Sequence, residues 1–136
     1  VRYLSYPTRS IGSASPGGRA VLFAALALLA AGCAKEEPGV RVAGGDPEQG
    51  LRLVRQYQCG ACHAIPGVPG AGGDAGPPLD HTGRLGYIAG GIPNQPANMV
   101  RWLQNPPALK PDTAMPSQGV SEEEARHMAA YLYTLR

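Results

Sequence analysis

The sequence has 136 residues, with 19 glycines, 14 prolines and 6% aromatic residues. That length allows one small domain, and a chain so rich in turn formers and so poor in rings builds a thin core, which at this size usually calls for a metal, disulfides or a cofactor. The formal charge of +2 comes without the clustered basic face that a nucleic-acid partner would require.

Arg2, Arg9 and Arg19 precede an apolar run, AVLFAALALLAA, over residues 20–31. The run is short for a membrane span, and its positive flank is that of an export signal. It leads into Ala30-Ala31-Gly32-Cys33. Small residues before a cysteine resemble the lipobox of bacterial lipoproteins, although Ala30 stands where that motif usually carries leucine. The resemblance implies that residues 1–32 are a removed signal peptide and that Cys33 is lipidated. A plain cleaved signal and an uncleaved anchor are the alternatives. Without Arg2, Arg9 and Arg19, nine basic residues face ten acidic ones, a net charge of about −1. Residues 33–45 read as a flexible tether, which leaves 46–136 as the folded domain.

Asp46-Pro47-Glu48-Gln49 is a helix start, with Asp46 as N-cap, Pro47 in the first turn and Gln49 able to reach back. The helix should run to about Tyr57 with Gly50, Leu51, Val54 and Tyr57 facing inward. It delivers the chain into Gln58-Cys59-Gly60-Ala61-Cys62-His63. A zinc site would need four ligands, and no second Cys-x-x-Cys is present. A redox dithiol of the thioredoxin kind would need a βαβ setting that this composition lacks. A disulfide is open to an exported chain. Cys-x-x-Cys-His is also the attachment signature of c-type haem: Cys59 and Cys62 add to the haem vinyl groups and His63 reaches the iron.

Residues 65–78 form a Gly/Pro loop without helical or strand period. Residues 79–93 read as mostly loop, with a short helix around 86–89. A second helix starts near Pro96, after Asn94 or Gln95, with Pro96, Met99, Val100 and Leu103 on one face. It stops before Pro106-Pro107, and 105–119 read as an extended loop. The last helix opens with a capping box, Ser121 with Glu124. Its stripe is Ala125, Met128, Ala129, Leu132 and Leu135, with Tyr131 beside it. No strand run and no internal repeat is evident.

This layout resembles a class I monohaem cytochrome c over about residues 46–136, an all-α fold of three to four helices and long loops around one covalent haem c. Gly76-Pro77-Pro78-Leu79 resembles the family's Gly-Pro-x-Leu segment, which implies that the Pro77 carbonyl accepts a hydrogen bond from His63. Gly83-Arg84 resembles the family's Gly-Arg, which implies Arg84 near a haem propionate. Asn105-Pro106 through Met115 resembles the segment ending at the axial methionine, which implies Met115 as the second iron ligand. Ala130-Tyr131-Leu132 resembles the terminal helix, implying Tyr131 packed on Gly50. Ile88-Ala89-Gly90-Gly91, Pro93-Asn94 and Val100-Arg101-Trp102-Leu103 resemble the cytochrome c domain fused to subunit II of haem-copper oxidases. The expectation is a free-standing, lipid-tethered relative of that domain.

Met99 and Met128 lie on apolar helical stripes and suit core packing, whereas Met115 lies in a loop with no stripe to join. His81 and His127 are rival ligands, both expected in solvent, His127 on the charged side of its helix. Trp102 suits the core or the methionine side of the haem, and its indole nitrogen needs a partner if buried. Tyr87 is weighed as a propionate partner. Lys110 reads as a solvated lysine, with a docking charge as the alternative. The function implied is one-electron transfer by an exported carrier, not an enzyme, tethered to a membrane facing the periplasm or cell exterior. Its partners would be a terminal oxidase or a quinol-oxidising complex. The other readings are a haem-based sensor or peroxide- or oxygen-reactive haem enzyme, the electron-accepting subunit of a dehydrogenase, and a haem-free lipoprotein with a Cys59–Cys62 disulfide.

Overall fold

The computed structural model describes residues 39–136. The expected signal peptide at 1–32, the lipidation site Cys33 and the tether up to residue 38 lie outside the described residues. Helix α1, Pro47–Gln56, starts as its sequence dictates: the Asp46 carboxylate accepts the backbone N–H groups of Glu48 at 2.8 Å and Gln49 at 3.1 Å. The Gln49 side chain reaches the same carboxylate, 3.4 Å away, instead of the backbone. Helices α2, Pro96–Gln104, and α3, Pro106–Leu109, follow, and α4 spans Glu122–Leu132. The capping box at Ser121 and Glu124 is present in both directions.

α1 packs across α4 at Gly50. A side chain there would overlap the His127 carbonyl and come within 2.7 Å of the Tyr131 Cβ, so the expected contact of Tyr131 with Gly50 is present. Val54, Ala125, Met128 and Ala129 are buried around this crossing. The Tyr57 hydroxyl donates to the Glu124 carboxylate at 3.0 Å and ties the end of α1 to the start of α4. α2 packs on α4 as well and buries Met99, Val100 and Leu103.

Four local expectations change. The short helix expected at 86–89 is a hairpin, β1 Tyr87–Ile88 against β2 Ile92–Pro93, with Ile88 opposite Ile92. Its turn uses left-handed Ala89 (φ 51°) and Gly90 (φ 82°), and Ile88 is drawn into the core. The loop expected from 105 begins with the one-turn helix α3, because proline has no N–H to lose in a first turn. His127 is buried, not solvated: its Nδ1 accepts the Asp46 N–H at 2.9 Å, since the start of α1 lies against it. The expected tether is ordered at its end. Val42 is buried in the core, and Gly45 abuts the Arg126 carbonyl and the Ala130 Cβ, so the chain docks on α4 before α1 begins. Among the described residues no helix is long and apolar enough to cross a membrane.

Candidate functional site

After α1 the backbone turns left-handed at Gln58 (φ 56°) and enters a 3-10 turn, Cys59–Ala61. The N–H groups of Cys62 and His63 both donate to the Cys59 carbonyl, at 3.2 and 3.0 Å. This tight turn sets Cys59, Cys62 and His63 on the wall of one cavity. Both thiols are free, which leaves the disulfide alternative without support in this structure. Burial is the largest influence on the Cys59 thiol and pushes its pKa up, and neighbouring Cys62 adds to the rise.

The Gly/Pro loop folds back on this turn. Gly73 N–H donates to the Gly60 carbonyl at 3.1 Å, Gly76 N–H to Cys62 at 2.7 Å, and Leu79 N–H to Ala64 at 2.9 Å. Gly76 lies against the His63 ring: a Cβ there would stand 2.7 Å from Nδ1 and 2.9 Å from Nε2. Only glycine lets the loop pass so close. One residue on, the Pro77 carbonyl lies 2.7 Å from His63 Nδ1. A carbonyl can only accept, so Nδ1 carries the proton and Nε2 keeps its lone pair for a metal.

The cavity has a volume of about 420 Å³, within the roughly 300–1,000 Å³ typical of ligand sites. Val54, Leu79, Ile88, Leu103 and Leu132 supply apolar wall, and among the described residues no acidic one lines it. Met115 reaches it from the loop after α3. The Met115 N–H donates to the Thr113 hydroxyl at 3.2 Å, and Thr113 N–H to the Lys110 carbonyl at 3.0 Å, so local turns hold that methionine. Met99 and Met128 are buried as expected and also touch the cavity.

The fold thus brings Cys59, Cys62, His63, Pro77, Trp102 and Met115 together. It does not bring in Arg84, which ends the 3-10 turn Thr82–Arg84 with its side chain exposed and outside the cavity wall. Tyr87 is 65% exposed and also outside it. His81 is exposed as expected, 3.2 Å from the Asp80 carboxylate. Lys110 departs from the solvated reading: it is half-buried and lines the cavity. Sequence reasoning also missed what Gly76 does for the ring of His63 and how Asn94 braces the cavity wall at Thr82 and Leu85. Asn94 Nδ2 donates at 2.8 Å to each of the Thr82 and Leu85 carbonyls.

An imidazole nitrogen with a free lone pair, a thioether, two thiols and a largely apolar wall are the donor set for a covalently held iron porphyrin, and the cradle at Gly76 and Pro77 fixes the imidazole for that role. Comparison with known proteins agrees. A family model described as cytochrome c matches residues 47–136. Cytochrome c oxidase subunit 2 of Alkalihalophilus pseudofirmus is 34% identical over 102 residues, which cover 74% of this chain and 28% of that protein. The chain therefore spans little more than a quarter of that relative's length.

Proposed function

The chain belongs to the cytochrome c family and binds a covalently attached haem c, and from that premise we propose that it is a membrane-tethered one-electron carrier. In this reading Cys59 and Cys62 would hold the haem through thioether bonds, and His63 and Met115 would ligate its iron. The observation that carries it is the His63–Pro77 hydrogen bond, which leaves Nε2 free on a cavity that Met115 also lines.

When bound, the haem supplies a one-electron iron couple. The chain's own residues do the rest. The Pro77 carbonyl fixes the tautomer and orientation of His63 and makes it a stronger donor. Gly76 keeps the loop flat against the ring. Pairing His63 with the soft thioether of Met115 raises the potential. Val54, Leu79, Ile88 and Leu103 line the cavity with apolar surface, which would disfavour the more highly charged oxidised state in the same direction. Trp102 is half-buried on the wall and would pack beside the prosthetic group.

The electron acceptor in this proposal is a haem-copper terminal oxidase. The likeness to an oxidase subunit supports it. The leader and Cys33 motif support export and a lipid anchor, which would raise the local concentration of the carrier at the membrane. The test is the visible spectrum of the oxidised and reduced protein, made in a host that attaches haem, beside Met115→Ala. Sharp reduced c-type bands and a weak far-red iron–sulfur band lost in Met115→Ala are expected. Haem bands unchanged by Met115→Ala would overturn the ligand assignment. Absence of turnover with a haem-copper oxidase would overturn the partner. Mass spectrometry of the native protein beside Cys33→Ser tests the anchor, with loss of the lipid mass expected.

A further inference from the structure

Among the described residues that line the cavity, Lys110 alone carries a formal charge. Its side chain is half-buried, and none of the ion pairs among the described residues includes it. Its Nζ makes one hydrogen bond, a long one of 3.3 Å to the Ala89 carbonyl. An ammonium has three donors, and a cation set in an apolar wall is poorly solvated unless an anion meets it.

The position of this ammonium is built. Lys110 follows the one-turn helix α3 and its N–H donates to the Pro106 carbonyl at 2.9 Å. The left-handed turn at Ala89 and Gly90 brings the tip of the hairpin against it: a Cβ on Gly90 would lie 3.7 Å from Nζ. The hairpin therefore orients the lysine, while no described residue of the wall offers it a carboxylate. A group that fills the cavity can supply that anion.

Haem c carries two carboxylates. Resting on the cytochrome reading above, we propose that Lys110 is the cationic partner of a haem carboxylate and thereby helps set the reduction potential. A fixed positive charge in a poorly solvated site keeps the carboxylate ionised and opposes oxidation of the iron. Arg84, exposed and outside the wall, is less well placed for that role.

The experiment is a redox titration of the holoprotein across the neutral pH range for wild type, Lys110→Met and Lys110→Arg, with the visible spectrum of each. The expected result is a lower midpoint potential for Lys110→Met at neutral and alkaline pH. Its midpoint should also depend more steeply on pH, because the unpaired carboxylate takes up a proton on reduction. Lys110→Arg should follow wild type. If Lys110→Met keeps the wild-type midpoint and slope, the proposal fails, even where thermal stability drops, since lysine then only braces the Ala89 carbonyl. Lys110→Gln, which keeps a donor for Ala89 without charge, covers poor haem loading by Lys110→Met: a midpoint equal to wild type refutes the charge role. A wild-type protein without c-type bands would instead overturn the cytochrome reading itself, and this proposal with it.

Discussion

Replacing Gly50 by alanine tests the central packing of the fold. The added methyl would overlap the His127 carbonyl and stand 2.7 Å from the Tyr131 Cβ, whereas carbon atoms pack at about 3.5–4.0 Å. Both neighbours belong to α4 and its backbone, so neither swings aside. α1 must lift by about 1 Å, a gap that forfeits about a quarter to a half of each contact across it. Val54 and Met128 are 1% and 2% exposed at this crossing, and full burial of such side chains stabilises by about 1.5–3 kcal/mol each. Their partial loss removes about 1–3 kcal/mol, and residual overpacking adds about 1–3 kcal/mol. Alanine's better helix propensity offsets about 1 kcal/mol. The expected net loss is about 3 kcal/mol, read from guanidinium unfolding of the holoprotein by far-UV circular dichroism. A Gly50→Ala protein as stable as wild type, or more so, would refute the close approach, since alanine at an open helical site stabilises.

Three further outcomes follow from the same geometry. Asn94→Ala removes two donors to loop carbonyls and the acceptor of the buried Tyr133 hydroxyl, 2.9 Å away; the exposed Leu85 carbonyl turns to water, and at about 1–3 kcal/mol for each of the other two orphaned groups denaturant unfolding should show a loss of about 2–6 kcal/mol. Ser121→Ala deletes the N-cap of α4 and should lose about 1 kcal/mol in the same assay, with Ser121→Gly losing only a few tenths. Acid should destabilise the protein through two lowered carboxyl groups, Glu124, held down first by the Ser121 hydroxyl, and Asp46, held down first by the Gln49 N–H. Their stabilisation is complete above the ordinary values of 4.5 and 3.8 and is lost as pH falls through the lower folded-state values. A thermal midpoint that stays flat through that acid range would contradict it.

The parts legible in the sequence are those whose signal is local. Asp46-Pro47 and Ser121 with Glu124 announce helix starts because each cap satisfies N–H groups two or three residues away. Cys59, Cys62 and His63 are legible for the same reason, as the 3-10 turn opens at Cys59 and the N–H groups of Cys62 and His63 both donate to the Cys59 carbonyl. Family likeness and a loop position off any apolar stripe both point to Met115, and the loop does bring it to the cavity. Pro77 was read only through family likeness. Nothing in the residue type of proline predicts that its carbonyl will meet a histidine fourteen residues back.

What was missed depends on contacts distant in the chain. His127 has charged neighbours on its own helix, so its helical position suggests solvent. It is buried because Asp46, 81 residues away, offers it an N–H. Tyr133 lies beyond α4 and outside its stripe, yet it is 2% exposed and anchored on Asn94, and burial pushes its hydroxyl pKa up to about 12. The hairpin escaped because each strand has two residues, too few for a period of two to show. These misses are connected. Asn94 holds the loop carrying Thr82 and Leu85, follows the hairpin, and receives Tyr133 from the end of the chain; the hairpin's tip in turn holds Lys110, which precedes the turn of Met115. The histidine side of the cavity is thus written in one contiguous motif and its returning loop. The methionine side is assembled from three distant segments through polar contacts, and a single sequence carries no local mark of such an assembly.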